Sequence, residues 1–288
     1  MKTNRFVLTV PLCALSAASF AIYSHDQLDA SAFGWVGLVG GGGSGTAISP
    51  HFVLTAGHVG GMTFSFSGGT YTAVERINHP TADISLLRFN ETFTEFSMPY
   101  FGGVLGADVT LVGFGNTGVE RQAGDAFPWT GYNDVGGFGT RRAATNRVEF
   151  VDFADVAGYH TNSLWYDLDF YDPRTPAPNQ VDTFGLGGAL DNEGGLLGGD
   201  SGGAALLNLG GVWRIVGVNT FIGDVVGPNP PGGQSAYMDY GDVFGSTNVG
   251  FYQDWIAQNA PEAVPEPATI AALGLGAMAL LRKRKKSS

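Results

Sequence analysis

Three short stretches of this 288-residue chain hold the residue types of nucleophilic catalysis, in the order His, Asp, Ser. The first is Gly45-Thr46-Ala47-Ile48-Ser49-Pro50-His51-Phe52-Val53-Leu54-Thr55-Ala56-Gly57-His58, a strand pattern entering a turn that presents His58. The second is His79-Pro80-Thr81-Ala82-Asp83-Ile84-Ser85-Leu86-Leu87-Arg88-Phe89, where a lone Asp83 precedes an apolar strand. The third is Gly198-Gly199-Asp200-Ser201-Gly202-Gly203, where glycines flank a serine that could project into a site. A serine hydroxyl is a poor nucleophile until a base takes its proton, and an imidazole steadied by a carboxylate is such a base. Taken singly, each stretch also has a plain structural reading: a glycine turn, a structural histidine, a strand-end cap. His25, His51, His79 and His160 lack a comparable setting and read as surface or structural.

The elements that must position these residues read as short strands. The chain has 45 glycines and 12% aromatic residues, which suggests tight turns between brief strands. Strand patterns fall at residues 36–39, 45–48, 51–54, 84–89, 109–114 and 214–218. Helical periodicity is strong at residues 250–259, where Phe251, Trp255 and Ile256 could share a face. Many short strands with one terminal helix imply an all-β, antiparallel barrel architecture. Residues 118–195 are harder to read. Asp167, Asp169, Asp172, Asp182, Asp191 and Glu193 make that stretch locally acidic, and hard oxygen ligands at such density could hold a structural calcium. No spacing there matches a known calcium loop, so solvated surface is the favoured reading, and no metal or other cofactor is assigned.

The three stretches resemble the T-A-A-H, D-I-A-L-L and G-D-S-G-G motifs of chymotrypsin-like serine proteases, and the resemblance extends over nearly all of residues 22–260. Val109-Thr110-Leu111-Val112-Gly113-Phe114-Gly115 is similar to that family's strand ending in G-W-G. Residues 215–221 resemble its strand beside the primary specificity pocket, and Asp254-Trp255-Ile256 the start of its terminal helix. The resemblance implies two packed six-stranded antiparallel β-barrels, with a His58–Asp83–Ser201 triad in the cleft between them. It implies an oxyanion hole from the N–H groups of Gly199 and Ser201. It also implies a pairing of Asp200 with the ammonium of a new N-terminus at Ile22, and a pocket lined by Gly195, Thr220, Phe221 and Ile222. Gly195 stands where trypsin-like members carry an acidic residue, which argues for an uncharged side chain at the cleaved position, although Glu193 is only two residues away. Gly57 replaces the family's usual alanine. The interval from His58 to Asp83 is short and that from Asp83 to Ser201 long, so the second half carries insertions.

Both ends read as processed segments. Lys2 and Arg5 precede a largely apolar stretch, and small residues Ser19 and Ala21 suit signal peptidase cleavage after Ala21. At the other end, Pro265-Glu266-Pro267 is followed by an apolar run over residues 269–281 and the basic cluster Arg282-Lys283-Arg284-Lys285-Lys286. This order resembles a PEP-CTERM sorting signal, processed by an exosortase in Gram-negative bacteria; its apolar run is the chain's membrane-directed segment. The expected division is therefore 1–21 signal peptide, 22–260 protease-like domain, and 261–288 linker and sorting segment. Seven of the 15 Lys and Arg lie in residues 1–21 and 265–288, but one of the 26 acidic residues does. Residues 22–264 thus carry eight arginines against 25 carboxylates, which disfavours nucleic acid and anionic membrane as partners. The lone cysteine, Cys13, falls in the signal segment, so packing rather than disulfides must hold the exported chain. The expectation is a secreted or surface-displayed serine endopeptidase acting on proteins or peptides. A non-catalytic adhesin or matrix protein on the same fold, or an esterase, are the alternatives.

Overall fold

The computed structural model describes residues 23–24, 28–40, 42–123, 127–169, 182–223 and 237–264. The proposed signal peptide, Ile22, His25, Asp172 and the apolar run at 269–281 lie outside the described residues. A two-residue strand, β1 (Tyr23–Ser24), comes first. Seven strands then form the first antiparallel sheet: β2 (Val36–Val39), β3 (Gly43–Ala47), β4 (Phe52–Thr55), β5 (Thr63–Phe66), β6 (Gly69–Thr72), β7 (Glu75–Asn78) and β8 (Ser85–Arg88). The second half contributes β9 (Asp108–Gly113), β10 (Thr117–Ala123), β11 (Phe127–Gly136), β12 (Arg142–Arg147), β13 (Phe150–Val156), β14 (Tyr159–Asp167), β15 (Gly194–Gly195), β16 (Ala204–Leu209), β17 (Val212–Gly223), β18 (Tyr237–Asp239) and β19 (Val243–Asn248). Seven of these make the second large sheet, while β10, β11 and β18 form a smaller one and β1 pairs with β15.

The all-β expectation holds, but the large sheets have seven strands where six were expected. The extra strands are hairpin additions. β6 folds back on β5 through a turn at Ser67–Gly68, both with positive φ, and β13 folds on β14 through Ala157–Gly158 in the same conformation. The first sheet is ordered β6-β5-β2-β3-β4-β8-β7 and the second β12-β9-β16-β17-β19-β14-β13. With β6 and β13 set aside, six strands remain in each. In chain order the first sheet runs fourth, first, second, third, sixth, fifth, and the second runs second, first, fourth, fifth, sixth, third. Both are the same cyclic order opened at a different place, so the two halves repeat one topology that no sequence period displays.

Strand alternation gives the second sheet two apolar faces. Val112, Ala204, Leu206, Ile215 and Val218 join the core shared with the first sheet, beside Leu54, Phe64, Leu87 and Phe89. Their chain neighbours Leu111, Ala205 and Val216 point the other way, to a second core with Leu164, Tyr166 and Phe244. The helix α1 (Gln253–Asn259) is shorter than the periodicity suggests. Ile256 is buried, whereas Phe251 precedes the helix and is 56% exposed, so it does not share that face.

An aromatic cluster surrounds Phe64, which is fully buried between Phe66, Phe89 and Phe93 with ring centroids 4.8–6.2 Å away. Phe64→Ala should lower the unfolding free energy by about 3–5 kcal/mol, read as a fall in the urea midpoint at unchanged m-value.

Candidate active site

His58 follows β4 directly, in the turn 56–59. Its ring Nδ1 lies 2.6 Å from Asp83 Oδ2, and its backbone N–H donates to Asp83 Oδ1 at 2.8 Å. One carboxylate therefore fixes both the ring and the backbone of His58. Asp83 is fully buried. A buried carboxylate is costly unless its partners replace water, and the second sheet supplies further ones to its main chain. Asp83 N–H donates to Thr161 Oγ1 of β14, and Thr247 Oγ1 of β19 donates to Asp83 O, each at 2.8 Å. Arg76 of β7 steadies the turn itself, donating to the carbonyls of Ala56 and Gly57 at 3.2 Å. Burial lowers the Arg76 guanidinium somewhat, opposed by Tyr159 and by the negative charge of Asp83.

Gly57 has a local reason. A Cβ there would meet Asp83 Oδ1 at 3.0 Å and the Tyr159 ring at 3.1 Å, so the tip of the β13–β14 hairpin lies against the turn that carries His58. An alanine would have to push one of them aside.

Ser201 stands on a turn between Gly195 of β15 and β16. Gly199 and Gly202 take φ of 92° and 85°, left-handed values that favour glycine. The turn is tied to the first sheet through one residue. Ser44 of β3 donates its N–H to Ser201 O at 2.7 Å and its hydroxyl to Gly199 O at 3.0 Å. A Cβ on the preceding Gly43 would meet both the Val59 side chain, at 2.7 Å, and Ser201 O, at 3.1 Å. The residue after His58 and the backbone of Ser201 thus lie against the same glycine. No acceptor among the described residues takes the N–H of Gly199 or of Ser201, and neither His58 Nε2 nor the Ser201 hydroxyl is hydrogen-bonded among them. Ser201 is half-buried and His58 more open.

Asp200 is fully buried behind Ser201. Its carboxylate accepts from Leu197 N at 3.1 Å and Gly115 N at 3.2 Å. Burial pushes its pKa well above the usual carboxylate range, with those N–H groups and Arg142 acting the other way. Tyr23 of β1 pairs with Gly195, which places the start of the proposed mature chain beside the segment leading to Asp200. Of the expected pocket residues, Thr220 and Phe221 lie together on β17 against Gly245, at a break in register between Asn219 and Phe221. The Thr220 hydroxyl donates to Gly245 O at 3.2 Å, and Phe221 packs edge-on against Trp165. Ile222 is 39% exposed, while Gly195 is buried in the pairing with β1. A separate cavity of about 450 Å³ is lined by His79, Thr81, Phe153, His160, Tyr252 and Trp255, among others, and contains none of His58, Asp83 and Ser201.

The remaining described histidines have structural partners. His51 Nδ1 lies 3.1 Å from Glu262 Oε2, His79 Nδ1 accepts from Ala82 N at 2.9 Å, and His160 Nδ1 is 2.9 Å from Asp155. Thr161, Thr247, Arg76 and Ser44 escaped the sequence reading. Each is an ordinary strand residue, and no local pattern signals its contact with the site.

Comparison with known proteins identifies one segment. Residues 263–285 match the PEP-CTERM protein-sorting motif. This is a secreted protein sorted to the cell surface of a Gram-negative bacterium by way of C-terminal processing. Such signals are processed by exosortase, as expected from the Pro265-Glu266-Pro267 order. No curated protein matches the chain. Among the described residues no helix is long and apolar enough to cross a membrane. Just ahead of the sorting motif, Glu262 accepts from Ser49 Oγ at 2.7 Å and His51 N at 2.9 Å, which fastens the start of that segment to the first sheet.

Thr161→Val keeps the shape of the side chain but leaves the Asp83 N–H buried without an acceptor. It should cost about 1–3 kcal/mol in urea unfolding, whereas the same change at exposed Thr70, on β6, should cost less than about 0.5 kcal/mol.

Proposed function

We propose that this chain is an exported serine endopeptidase of the chymotrypsin-like kind, with His58 as base, Asp83 as its orienting carboxylate and Ser201 as nucleophile. The carrying observation is the 2.6 Å contact of His58 Nδ1 with a fully buried Asp83. With Nδ1 held by the carboxylate, Nε2 is the ring atom left to take a proton. Further support comes from the strand orders, one cyclic arrangement used twice, with His58 and Asp83 on the first sheet's turns and Ser201 on the second's.

The chemistry follows from these groups. Ser201 Oγ bonds to the peptide carbonyl carbon as its proton passes to His58 Nε2. The carbonyl oxygen gains the negative charge, which the N–H groups of Gly199 and Ser201, without an acceptor among the described residues, are suited to receive. Collapse breaks the C–N bond, and the proton on His58 goes to the leaving amine. A water molecule then repeats the sequence on the ester, giving up its proton to His58 and restoring the Ser201 hydroxyl. The Ser201–His58 hydrogen bond absent at rest is expected to form with substrate, since catalytic hydrogen bonds often tighten only then. A fluorophosphonate should label the protein at Ser201 and fail to label Ser201→Ala. Asp83→Asn should lower kcat about 10⁴-fold on a peptide substrate, because the ring loses its fixed tautomer. A folded protein that takes no label would instead favour the non-catalytic surface protein.

The same reading gives Asp200 a purpose. Signal peptidase cleavage after Ala21 would free the Ile22 ammonium, one residue before β1 and its partner Gly195. A buried cation there would let Asp200 ionise and hold the turn bearing Gly199 and Ser201. Loss of one partner of a buried ion pair costs about 3–5 kcal/mol. Protein carrying Gly-Ser ahead of Ile22 should therefore show kcat/KM lower by about 10²–10³-fold than protein beginning at Ile22, with N-terminal sequencing to verify each start.

A further inference from the structure

Part of the acidic stretch departs from the solvated surface that its composition suggests: Asp182 and Asp191 are exposed, but other carboxylates there are not. Glu149 is 4% exposed and Asp169 is 5% exposed, and Asp167 is buried as well. One oxygen each of Glu149, Asp169 and Asp182 lies within 4.8 Å of the others. Glu149 Oε2 and Asp169 Oδ1 are buried without any hydrogen-bond partner among the described residues. Two unpartnered carboxylate oxygens aimed at a third carboxylate make a costly arrangement without a cation between them. Among the described residues, Arg147 interacts with Glu149 and Glu193 but is engaged with Asp108 at 2.7 Å.

We propose that Glu149, Asp169 and Asp182 are ligands of a calcium ion, held in place by Asp167 and Glu193. The two outer carboxylates are already committed to the backbone. Glu193 accepts from Asp169 N and Leu190 N, both at 2.6 Å, and Asp167 accepts from Thr183 N at 2.5 Å and Phe184 N at 3.2 Å. They shape the segments that carry Asp169 and Asp182. Asp182 accepts from Gly185 N and Glu149 is hydrogen-bonded to Asp167, while Glu149 Oε2 and Asp169 Oδ1 stay unpartnered among the described residues. The donor set is all carboxylate, which suits a hard cation and not zinc or copper. Three ligands from three separate positions, their oxygens within 4.8 Å of one another, fit the larger and less regular shell of calcium better than the strict octahedron of magnesium. The proton affinities agree with this geometry. Burial is the first cause that pushes Asp169 up to about 9 and Glu149 to about 8, followed for Asp169 by the neighbouring carboxylates and for Glu149 by its hydrogen bond with Asp167.

The site also has a structural consequence. A shared ion would tie Asp169, at the end of the segment after β14, to Asp182 thirteen positions later in the chain. Glu193 leads directly into β15 and the Ser201 turn. Asn146 Nδ2 links the same region by donating to Asp167 O at 2.9 Å and Gly194 O at 3.2 Å.

The test uses the full chain carrying Ser201→Ala, which removes any self-cleavage and makes the result independent of the protease reading. Thermal unfolding would be followed in EGTA, in calcium chloride and in magnesium chloride. Terbium luminescence, excited through the protein's aromatic residues, reports occupancy directly. Calcium at about 100 times its Kd should raise Tm by about 5–10 °C over EGTA, with magnesium giving much less. Adding Asp169→Asn should abolish both the calcium shift and the terbium signal, and should itself raise the Tm measured in EGTA by relieving repulsion. If Asp169→Asn does not fold, Glu149→Gln is read in the same way. Equal Tm in EGTA and calcium with no terbium signal would overturn the proposal, as would a calcium shift that survives in the folded variant.

Discussion

Much of this structure depends on satisfying one fully buried carboxylate, Asp83. Its side chain is shared between the ring and the backbone of His58, and its own N–H and C=O are taken by Thr161 and Thr247. The two threonines belong to the second sheet, while Asp83 and His58 sit on turns of the first. A buried carboxylate without such partners would be neutral or would disrupt the fold. Satisfying it requires the two halves to meet in one register. A reciprocal tie runs the other way, since Ser201 on the second half is fixed by Ser44 on the first. The cleft between the sheets is thus closed by polar contacts whose members also carry the proposed chemistry.

These ties act on a body that has no disulfide to rely on, as the only cysteine lies at position 13. The apolar side of the account falls to alternation in β9, β16 and β17. Those strands give one set of side chains to the core shared by both sheets and the other set to a core of the second sheet. Close backbone approach completes the joint. Gly43 admits Val59 and the Ser201 carbonyl, and Gly57 admits Tyr159, at separations no larger residue would permit without displacement.

The acidic region shows the opposite balance. Around Asp83 every charge has its partner. Around Glu149 and Asp169 the fold gathers carboxylates, buries them and leaves oxygens unmatched. That contrast separates the two sites chemically. One is a buried carboxylate fully partnered by the ring and backbone of His58. The other has the composition of an ion site on an exported chain sorted to the cell surface.

The sequence by itself determined what is local. Glycine and apolar alternation set short strands and an all-β body, and β2 (Val36–Val39) coincides with its pattern because four residues and two flanking turns suffice. The His58, Asp83 and Ser201 stretches were legible because each is a strand end, a turn and one polar residue in contiguous chain. The C-terminal segment was legible for the same reason, as residues 263–285 match a sorting motif that the order of Pro, Glu, apolar run and basic cluster already displays. Only the tertiary structure decided which strands pair, that each large sheet gains a seventh, and which neighbours complete the site. Thr161 and Thr247 lie 78 and 164 positions from Asp83, and their contacts with it follow from sheet register rather than any nearby pattern. Burial of Glu149 and Asp169 was likewise beyond composition, because a carboxylate reads as solvated until the fold covers it.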